Sequence, residues 1–156
     1  MKGLKNLLSI LCASSLLIIS CEKETAKIVP VVETAFPTAI TANSVNSGGL
    51  ISSEGGASVS ARGVCWSTSQ FPTVADSKTS DGSGKGSFTS SITGLSPGVT
   101  YYVRAYAVNA VGTGYGNQQT FTTATILATL TTTAISSITP YTAVSGGNIT
   151  ADGGAP

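Results

Sequence analysis

Cys21 is the residue of this chain whose surroundings point most clearly to a chemical reaction. It follows a basic start, with Lys2 and Lys5 and no acidic residue, and then the 14 apolar or small residues of Leu7–Ser20. A short apolar run behind a basic start is typical of a secretory signal peptide, and it is shorter than the roughly 20 apolar residues that span a bilayer. We therefore predict that residues 1–20 are a signal peptide, in preference to a buried helix of the folded protein.

The four residues that end at this cysteine, Ile18-Ile19-Ser20-Cys21, resemble the lipobox of bacterial lipoproteins. The resemblance implies that a diacylglycerol is attached to the thiol, that the chain is cut before the cysteine, and that the new amino group is acylated. Each buried methylene contributes about 0.8 kcal/mol to membrane binding, so three acyl chains would hold the protein firmly on a bilayer that it does not cross. The lipid bilayer, through acylated Cys21, is the first expected partner.

Residues 21–29 are predicted to be a tether, because the segment Cys21–Lys27 is charged and has no apolar period. In lipoprotein families an aspartate after the lipidated cysteine tends to retain the protein at the inner membrane, whereas Glu22 stands here. Glu22-Lys23-Glu24 also resembles short charged signals for the cell surface, although an ordinary solvated spacer explains it equally well. We expect a lipid-anchored protein of the outer membrane or cell surface.

Candidate catalytic and metal-binding groups are few. The chain has no histidine, the commonest general base and metal ligand, and Glu54, Asp76 and Asp81 are scattered through predicted loops. These acids lack the spacing of a calcium loop, so solvated turn residues explain them better. Gly82–Ser87 resembles a phosphate loop only superficially, since glycine follows its lysine where Ser or Thr is needed, and a hairpin turn fits better. We predict no catalytic residue, no cofactor, no metal site and no enzyme.

Charge limits the classes of partner that the chain can bind, and the cysteine content limits the disulfides that it can form. Beyond residue 20 the chain carries six basic and seven acidic residues and no basic stripe, which argues against nucleic acid. Cys12 leaves with the signal peptide and Cys21 is lipidated, so Cys65 has no partner for a disulfide within the mature chain. Because no cation is adjacent to Cys65 in the sequence and it falls in a predicted strand, we interpret it as an inert packing residue.

A repeat with a period of 98 residues organises the chain. Ile40–Ala57 and Ile138–Ala155 share the motifs Ser-Gly-Gly and Gly-Gly-Ala at equivalent positions. Such a period is about the size of an independent sandwich domain. We predict one complete repeat over residues 30–124, followed over residues 125–156 by a linker and the truncated start of a second repeat.

Within the complete repeat, short runs of alternating apolar and polar residues are separated by Gly, Ser, Asn and Pro, which indicates an antiparallel sandwich. Leu95–Ala105 (LSPGVTYYVRA) resembles the E–F corner and strand F of fibronectin type III domains. Asn109, Gly112, Gly114 and Thr122-Thr123 also sit where that family tends to have them. The resemblance implies an all-β, fibronectin type III-like (immunoglobulin-like) antiparallel β-sandwich after a lipoprotein signal peptide.

Two aromatic residues are predicted to be structural. The ring of Tyr101 is expected to fill the corner between the sheets, with its hydroxyl bonded to the backbone of the preceding loop. For Trp66, the alternation of its strand alone predicts a place in the core beside Val64.

Period two predicts a ligand face opposite Tyr101. If Tyr101 points inward, then Tyr102, Arg104 and Tyr106 point to the other face of the sheet. A row of aromatic, cationic and aromatic side chains can stack sugar rings or take a protein partner, and Tyr115 could extend that row. The alternative is cross-strand packing of exposed aromatics that only stiffens the sheet.

These observations favour a membrane-anchored surface lipoprotein whose sandwich repeats are non-catalytic spacer or adhesion and recognition modules, with a glycan or protein ligand. One alternative is the N-terminal stalk of an extracellular hydrolase whose catalytic domain lies beyond Pro156. A further alternative is a purely structural tandem array, which would differ from the first only in binding no ligand.

Overall fold

The computed structural model describes residues 26–153, and the predicted signal peptide and Cys21 lie outside these residues. No helix within residues 26–153 is long and apolar enough to span a membrane. The described chain forms ten strands: β1 Val31–Thr34, β2 Ser44–Ser53, β3 Ala61–Ser67, β4 Ser77–Lys78, β5 Gly86–Thr93, β6 Thr100–Val108, β7 Thr113–Tyr115, β8 Gln119–Thr122, β9 Thr129–Ser136 and β10 Val144–Ala151.

The first eight strands form two antiparallel sheets that pack face to face. One sheet has the order β1-β2-β5, and the other has the order β4-β3-β6-β7, with β8 also pairing β6. All of these pairs are antiparallel. The predicted all-β antiparallel sandwich is confirmed.

The core lies between the sheets and is built by alternate residues of the longer strands. On β6, for example, Val103, Ala105 and Ala107 are fully buried, and β-branched and aromatic residues fill the strand as a pleated, half-buried surface favours. Within residues 26–153 every buried side-chain nitrogen and oxygen has a hydrogen-bond partner. The buried cluster consists of Val45, Ile51, Val59, Val64, Phe88, Ile92, Leu95, Val103, Ala105, Ala107 and Phe121.

The turn between β5 and β6 closes one end of the core through Tyr101. The Ser96 N–H donates a hydrogen bond to the Tyr101 hydroxyl at 3.1 Å, as predicted for a tyrosine at this corner. The ring stacks on Phe121 of β8, with 5.7 Å between the ring centroids. Tyr101 and Trp66 are both partly buried and pack against the core cluster without belonging to it.

The chain enters and leaves the sandwich at opposite ends of β2. At the entry, the Ile28 N–H donates to the Gly55 carbonyl just beyond the end of β2, at 2.8 Å. At the exit, the Ala124 N–H donates to the Thr41 carbonyl just before the start of β2, at 3.0 Å. The last residues of the predicted tether, from Ile28 onward, are therefore docked on the sandwich and are not a free spacer.

The last two strands form a separate antiparallel hairpin that repeats β1 and β2 in detail. Its strands pair in the same register as their counterparts 98 residues earlier, and the loops between the strands also match. The matching strand pairs are Val32↔Ile51 with Leu130↔Ile149, and Thr34↔Gly49 with Thr132↔Gly147. The matching loop residues in the left-handed region are Ala39 (φ 49°) and Ser137 (φ 50°).

Candidate recognition face

The outer face of the sheet β4-β3-β6-β7 carries the side chains predicted to bind a ligand. Tyr102 and Arg104 both lie there and are half-buried. Tyr106 lies on the same side of β6 as these two residues, but it is only 4 % exposed. Its predicted place on an open face is therefore wrong. The chain between β3 and β5 passes over this part of the sheet, and the Tyr106 hydroxyl donates to the Thr79 carbonyl at 2.6 Å. Burial raises the pKa of Tyr106, and the nearby Asp81 carboxylate raises it further.

Arg104 and Tyr115 form a stacked pair between β6 and β7. The guanidinium carbon lies 4.7 Å from the centroid of the Tyr115 ring, within the range of a cation–π contact. The Arg104 Nε–H also donates to the Gly116 carbonyl at 3.0 Å, and the Tyr115 hydroxyl accepts from the Val74 N–H at 3.0 Å. These contacts fix both side chains, so Arg104 presents only its remaining N–H groups to a ligand.

Phe71 is an aromatic residue of this region that the sequence did not single out. It is 64 % exposed and its backbone is in the left-handed region, with φ of 57°. A bulky residue rarely adopts this conformation, and such strain often accompanies a functional constraint. The Phe71 N–H donates to the Gln118 side-chain oxygen, and the following Pro72 is buried. The only sequence signal was an aromatic residue in a polar loop, which does not separate a displayed side chain from a buried one.

We use the term aromatic face for Phe71, Tyr102, Arg104 and Tyr115, a set that keeps three of the four predicted residues and has Phe71 in the place of the buried Tyr106. Tyr102 on β6 pairs with Thr120 of β8, and Gln118, which fixes Phe71, lies just before β8. The pairing of β6 with β8 and the Gln118 contact therefore bring Phe71 to the same sheet as Tyr102. The arrangement offers aromatic rings and a positive charge but no aligned acid and base.

Cys65 lies beneath the aromatic face, and its thiol is buried and unreactive. Its side chain is fully buried, and its thiol lies 3.4 Å from the Pro72 carbonyl oxygen and 3.5 Å from that of Arg104. Burial raises the pKa of Cys65 to about 11, although Arg104, which lies opposite on β6, lowers it. A cation is thus close in space though not in sequence, but burial has the larger effect and keeps the thiol protonated at neutral pH. The predicted packing role is confirmed.

The acidic and glycine-rich segments also serve the fold. The Asp81 carboxylate accepts hydrogen bonds from the Thr79 and Ser90 hydroxyls, so the prediction of a fully solvated turn acid is wrong for this residue. The glycine-rich turn wraps around Arg62, whose guanidinium donates to the Gly84 carbonyl at 3.1 Å. Carbonyl groups that point at an arginine do not form a cradle of N–H groups for phosphate. Residues 26–153 contain no group of three potential metal-ligating side chains.

Comparison with protein-family models finds no match, and no curated protein matches the chain. Solved structures do match over part of it. The sensor domain of the anti-sigma factor RsgI4 from Pseudobacteroides cellulosolvens is 19 % identical, with a TM-score of 0.47, over 64 % of this chain and 98 % of that one. The sixth fibronectin type III domain of human fibronectin type III domain containing protein 3 is 24 % identical, with a TM-score of 0.45, over 64 % and 90 %. Domains A168–A170 of titin are 17 % identical, with a TM-score of 0.44, over 64 % and 32 %.

Strand order and register decide the fold. Three strands form one sheet, β4 pairs β3 in the other, and Tyr101 at the start of β6 closes the corner through its contact with Ser96. The fold is a fibronectin type III-like β-sandwich. In this fibronectin type III-like sandwich, residues 94–99 form the turn between β5 and β6, where the sequence resemblance placed the E–F corner, and Asn109 follows β6 directly.

Proposed function

We propose that the protein is a lipid-anchored lipoprotein of the outer membrane or cell surface, whose fibronectin type III-like repeats are non-catalytic spacer and recognition modules. The observation that carries the modular part of this proposal is the repeated hairpin, since the same strand register and loop conformation recur after 98 residues, whereas the anchor is supported by the lipobox resemblance at Cys21. A structural unit whose first two strands recur at a fixed period in one chain indicates a modular array. Two side chains that could react, Cys65 and Asp81, have structural roles: Cys65 is buried, and Asp81 accepts hydrogen bonds from neighbouring hydroxyls.

The path of the chain supports the spacer role. Entry at Gly55 and exit at Thr41 lie at opposite ends of β2, which has ten residues and therefore spans about 33 Å. The second repeat begins in the same way, because Ile126 lies against Gly153 just as Ile28 lies against Gly55. Since Ala124 still belongs to the first sandwich, little chain separates the two units. Each repeat therefore carries the next one farther from the point where the chain is anchored.

The anchor is tested by the Cys21→Ala variant in a Gram-negative host. Wild-type protein is expected in the membrane fraction, labelled by radioactive palmitate and with its processing blocked by globomycin, since the acyl chains supply the affinity for the bilayer. Cys21→Ala is expected in the soluble fraction and unlabelled. Cys65→Ala is the matched control, because its thiol is buried in the sandwich, and it should stay in the membrane. Palmitate label or membrane retention in Cys21→Ala would contradict the proposal.

The recognition role is tested at the aromatic face. We expect the wild-type sandwich to retain a glycan or protein on an array of surface polysaccharides and extracellular proteins, and Phe71→Ala with Tyr102→Ala to lose at least tenfold in affinity, since stacked aromatic residues carry much of such binding. Phe36→Ala is the control, because Phe36 is also exposed but lies outside this face. Equal loss in the control, or no ligand at all, would reduce the role of the repeats to that of a spacer.

A further inference from the structure

A cleft lies at the margin of the first sandwich, beside the start of β4 and the end of β5. Its volume is about 480 Å³, within the range of roughly 300 to 1,000 Å³ that is usual for small-molecule sites. Two half-buried aromatic rings line it, those of Trp66 and Tyr101. Its polar side chains are one carboxylate and three hydroxyls, from Asp76, Ser67, Thr68 and Ser77. Aromatic walls with a few polar groups are the usual lining of a ligand site.

Two of the polar groups in this cleft are held in place by contacts within the fold. The Asp76 Oδ2 atom accepts hydrogen bonds from the Thr73 N–H at 2.8 Å and from the Thr73 hydroxyl at 3.2 Å. These bonds engage one carboxylate oxygen and leave the other for a ligand. The Ser67 hydroxyl oxygen accepts from the Ser69 N–H at 3.2 Å, and its own O–H remains to donate. The cleft therefore offers a positioned acceptor and a positioned donor, which lowers the entropic cost of binding.

The two aromatic rings of the cleft are fixed as well. Tyr101 stacks on Phe121, and its hydroxyl accepts from the Ser96 N–H. Trp66 packs against the core cluster and also lines the cleft. Gly94, another lining residue, has φ of 73°, and no heavy atom lies within 4 Å of the position that a Cβ atom would take there. The absence of a side chain at Gly94 thus leaves space beside the rings.

The chemistry of this lining favours a neutral sugar ring as the ligand. A pyranose has an apolar C–H face, which an aromatic ring covers, and hydroxyl groups at its rim, which both donate and accept hydrogen bonds. Among the described residues that line the cleft, Asp76 alone is charged, so an anion is repelled. A quaternary ammonium ion suits aromatic rings and a carboxylate, but it has no hydrogen-bonding group for the hydroxyls of Ser67, Thr68 and Ser77.

We propose that this cleft binds a neutral hexopyranose, with Trp66 stacked on the sugar ring and Asp76 accepting hydrogen bonds from the sugar hydroxyls. The site is separate from the aromatic face, because Trp66 packs against the core cluster whereas Tyr102 points to the outer side of the sheet. The proposal therefore goes beyond the recognition role of that face, and it depends neither on that role nor on the lipid anchor.

Fluorescence of Trp66, the one tryptophan of the chain, tests this proposal at the cleft itself. The probes are the methyl glycosides of glucose, galactose, mannose and N-acetylglucosamine, titrated into the purified Cys21→Ala protein. At least one glycoside is expected to give a saturable blue shift of the emission, because a bound sugar shields the indole from water.

Asp76→Asn is expected to weaken the binding of that glycoside at least tenfold. Its side-chain oxygen still accepts from Thr73, but an NH₂ donor takes the place of the carboxylate oxygen that faces the ligand, and hydrogen bonds to a charged group are the stronger ones. Glu33→Gln is the matched control, because it makes the same change at an exposed acid of β1 outside the cleft, and it should bind as the wild type does.

Three results would overturn the proposal. The first is the absence of a saturable shift with all four glycosides, and the second is an equal response of Asp76→Asn and Glu33→Gln. The third is a saturable shift with tetramethylammonium but with no glycoside, since the cleft would then be a cation site. Urea unfolding shows in each variant that the sandwich remains folded.

Phe71→Ala with Tyr102→Ala distinguishes this cleft from the aromatic face. The double variant is expected to keep the full fluorescence response to the glycoside, whatever it binds on an array. Failure of the recognition role at the aromatic face would therefore leave the cleft unaffected. Loss of the fluorescence response in this variant would show instead that the cleft is not a separate site.

Discussion

Replacing Ile51 by alanine is expected to lower the free energy of unfolding of the first sandwich by about 3 kcal/mol, since a buried isoleucine that is cut to alanine loses its transfer energy and leaves a cavity. Ile51 is 1 % exposed and belongs to the core between the two sheets. Urea unfolding measures the change, and Trp66, the one tryptophan of the chain, lies against the same core and reports on it by fluorescence.

The chain provides its own control for this result in Ile149. The residue type and the strand register are the same, and the partner on the neighbouring strand is apolar in both cases, Val32 for Ile51 and Leu130 for Ile149. Only the burial differs, because Ile149 is 61 % exposed. Ile149→Ala is therefore expected to change the unfolding of the sandwich by less than about 0.5 kcal/mol, as exposed substitutions usually do. Equal losses at the two positions would show that the hairpin shares a core with the first sandwich.

The features that could be predicted from the sequence are those that depend on local pattern. Alternation on β6 places Val103 and Ala105 inward and Tyr102 outward, and the structure agrees. The repeated Ser-Gly-Gly and Gly-Gly-Ala motifs predict a second unit, and the hairpin β9–β10 repeats β1–β2 in register. Each of these inferences needs only the two-residue period of a strand or a comparison of two segments.

The features that could not be predicted depend on where a loop packs. Alternation assigns Tyr106 to the outer face correctly, but it does not show that the chain around Thr79 covers that face and buries the ring. The exposure of Phe71 depends in the same way on the Gln118 contact, which joins residues 47 positions apart. Burial of a face that two segments share is a tertiary property, so the residues at its margin have to be read from the structure.

A similar long-range contact makes Asn109 the polar residue with the largest expected effect on stability. Asn109 is only 5 % exposed, and its side-chain amide donates to the Ile28 carbonyl at 2.7 Å and to the Glu54 carbonyl at 2.8 Å. Its side-chain oxygen accepts from the N–H groups of Val111 at 2.9 Å and Gly112 at 3.1 Å. One side chain thus joins the entering chain, the end of β2 and the turn between β6 and β7.

Asn109→Ala is expected to lower the free energy of unfolding by about 3 kcal/mol, because it removes four partly buried hydrogen bonds to the backbone at once, and a backbone group left without a partner costs roughly 1 to 3 kcal/mol before water offsets part of the loss. Chemical denaturation measures the loss. Hydrogen exchange should show increased opening at Ile28, whose N–H pairs with Gly55 in the same region. An unchanged stability would mean that the three segments are held together without this side chain.

Asn109→Asp separates the donor role from the acceptor role at constant shape. Above its pKa the new carboxylate still accepts from Val111 and Gly112, but it turns a negative charge towards the Ile28 and Glu54 carbonyl oxygens, which previously received N–H groups. Burial and these oxygens raise its pKa in the folded state above the value of about 4 of an unfolded aspartate, so the folded state binds the proton more tightly. Relative to the wild type, the variant is therefore expected to be least stable at neutral pH and to recover as the pH falls through the raised pKa, where a protonated carboxyl again donates to one carbonyl. A variant that is as stable as the wild type from pH 7 to about 4 would show that the two amide N–H donors are dispensable, and that Asn109 acts through its oxygen alone.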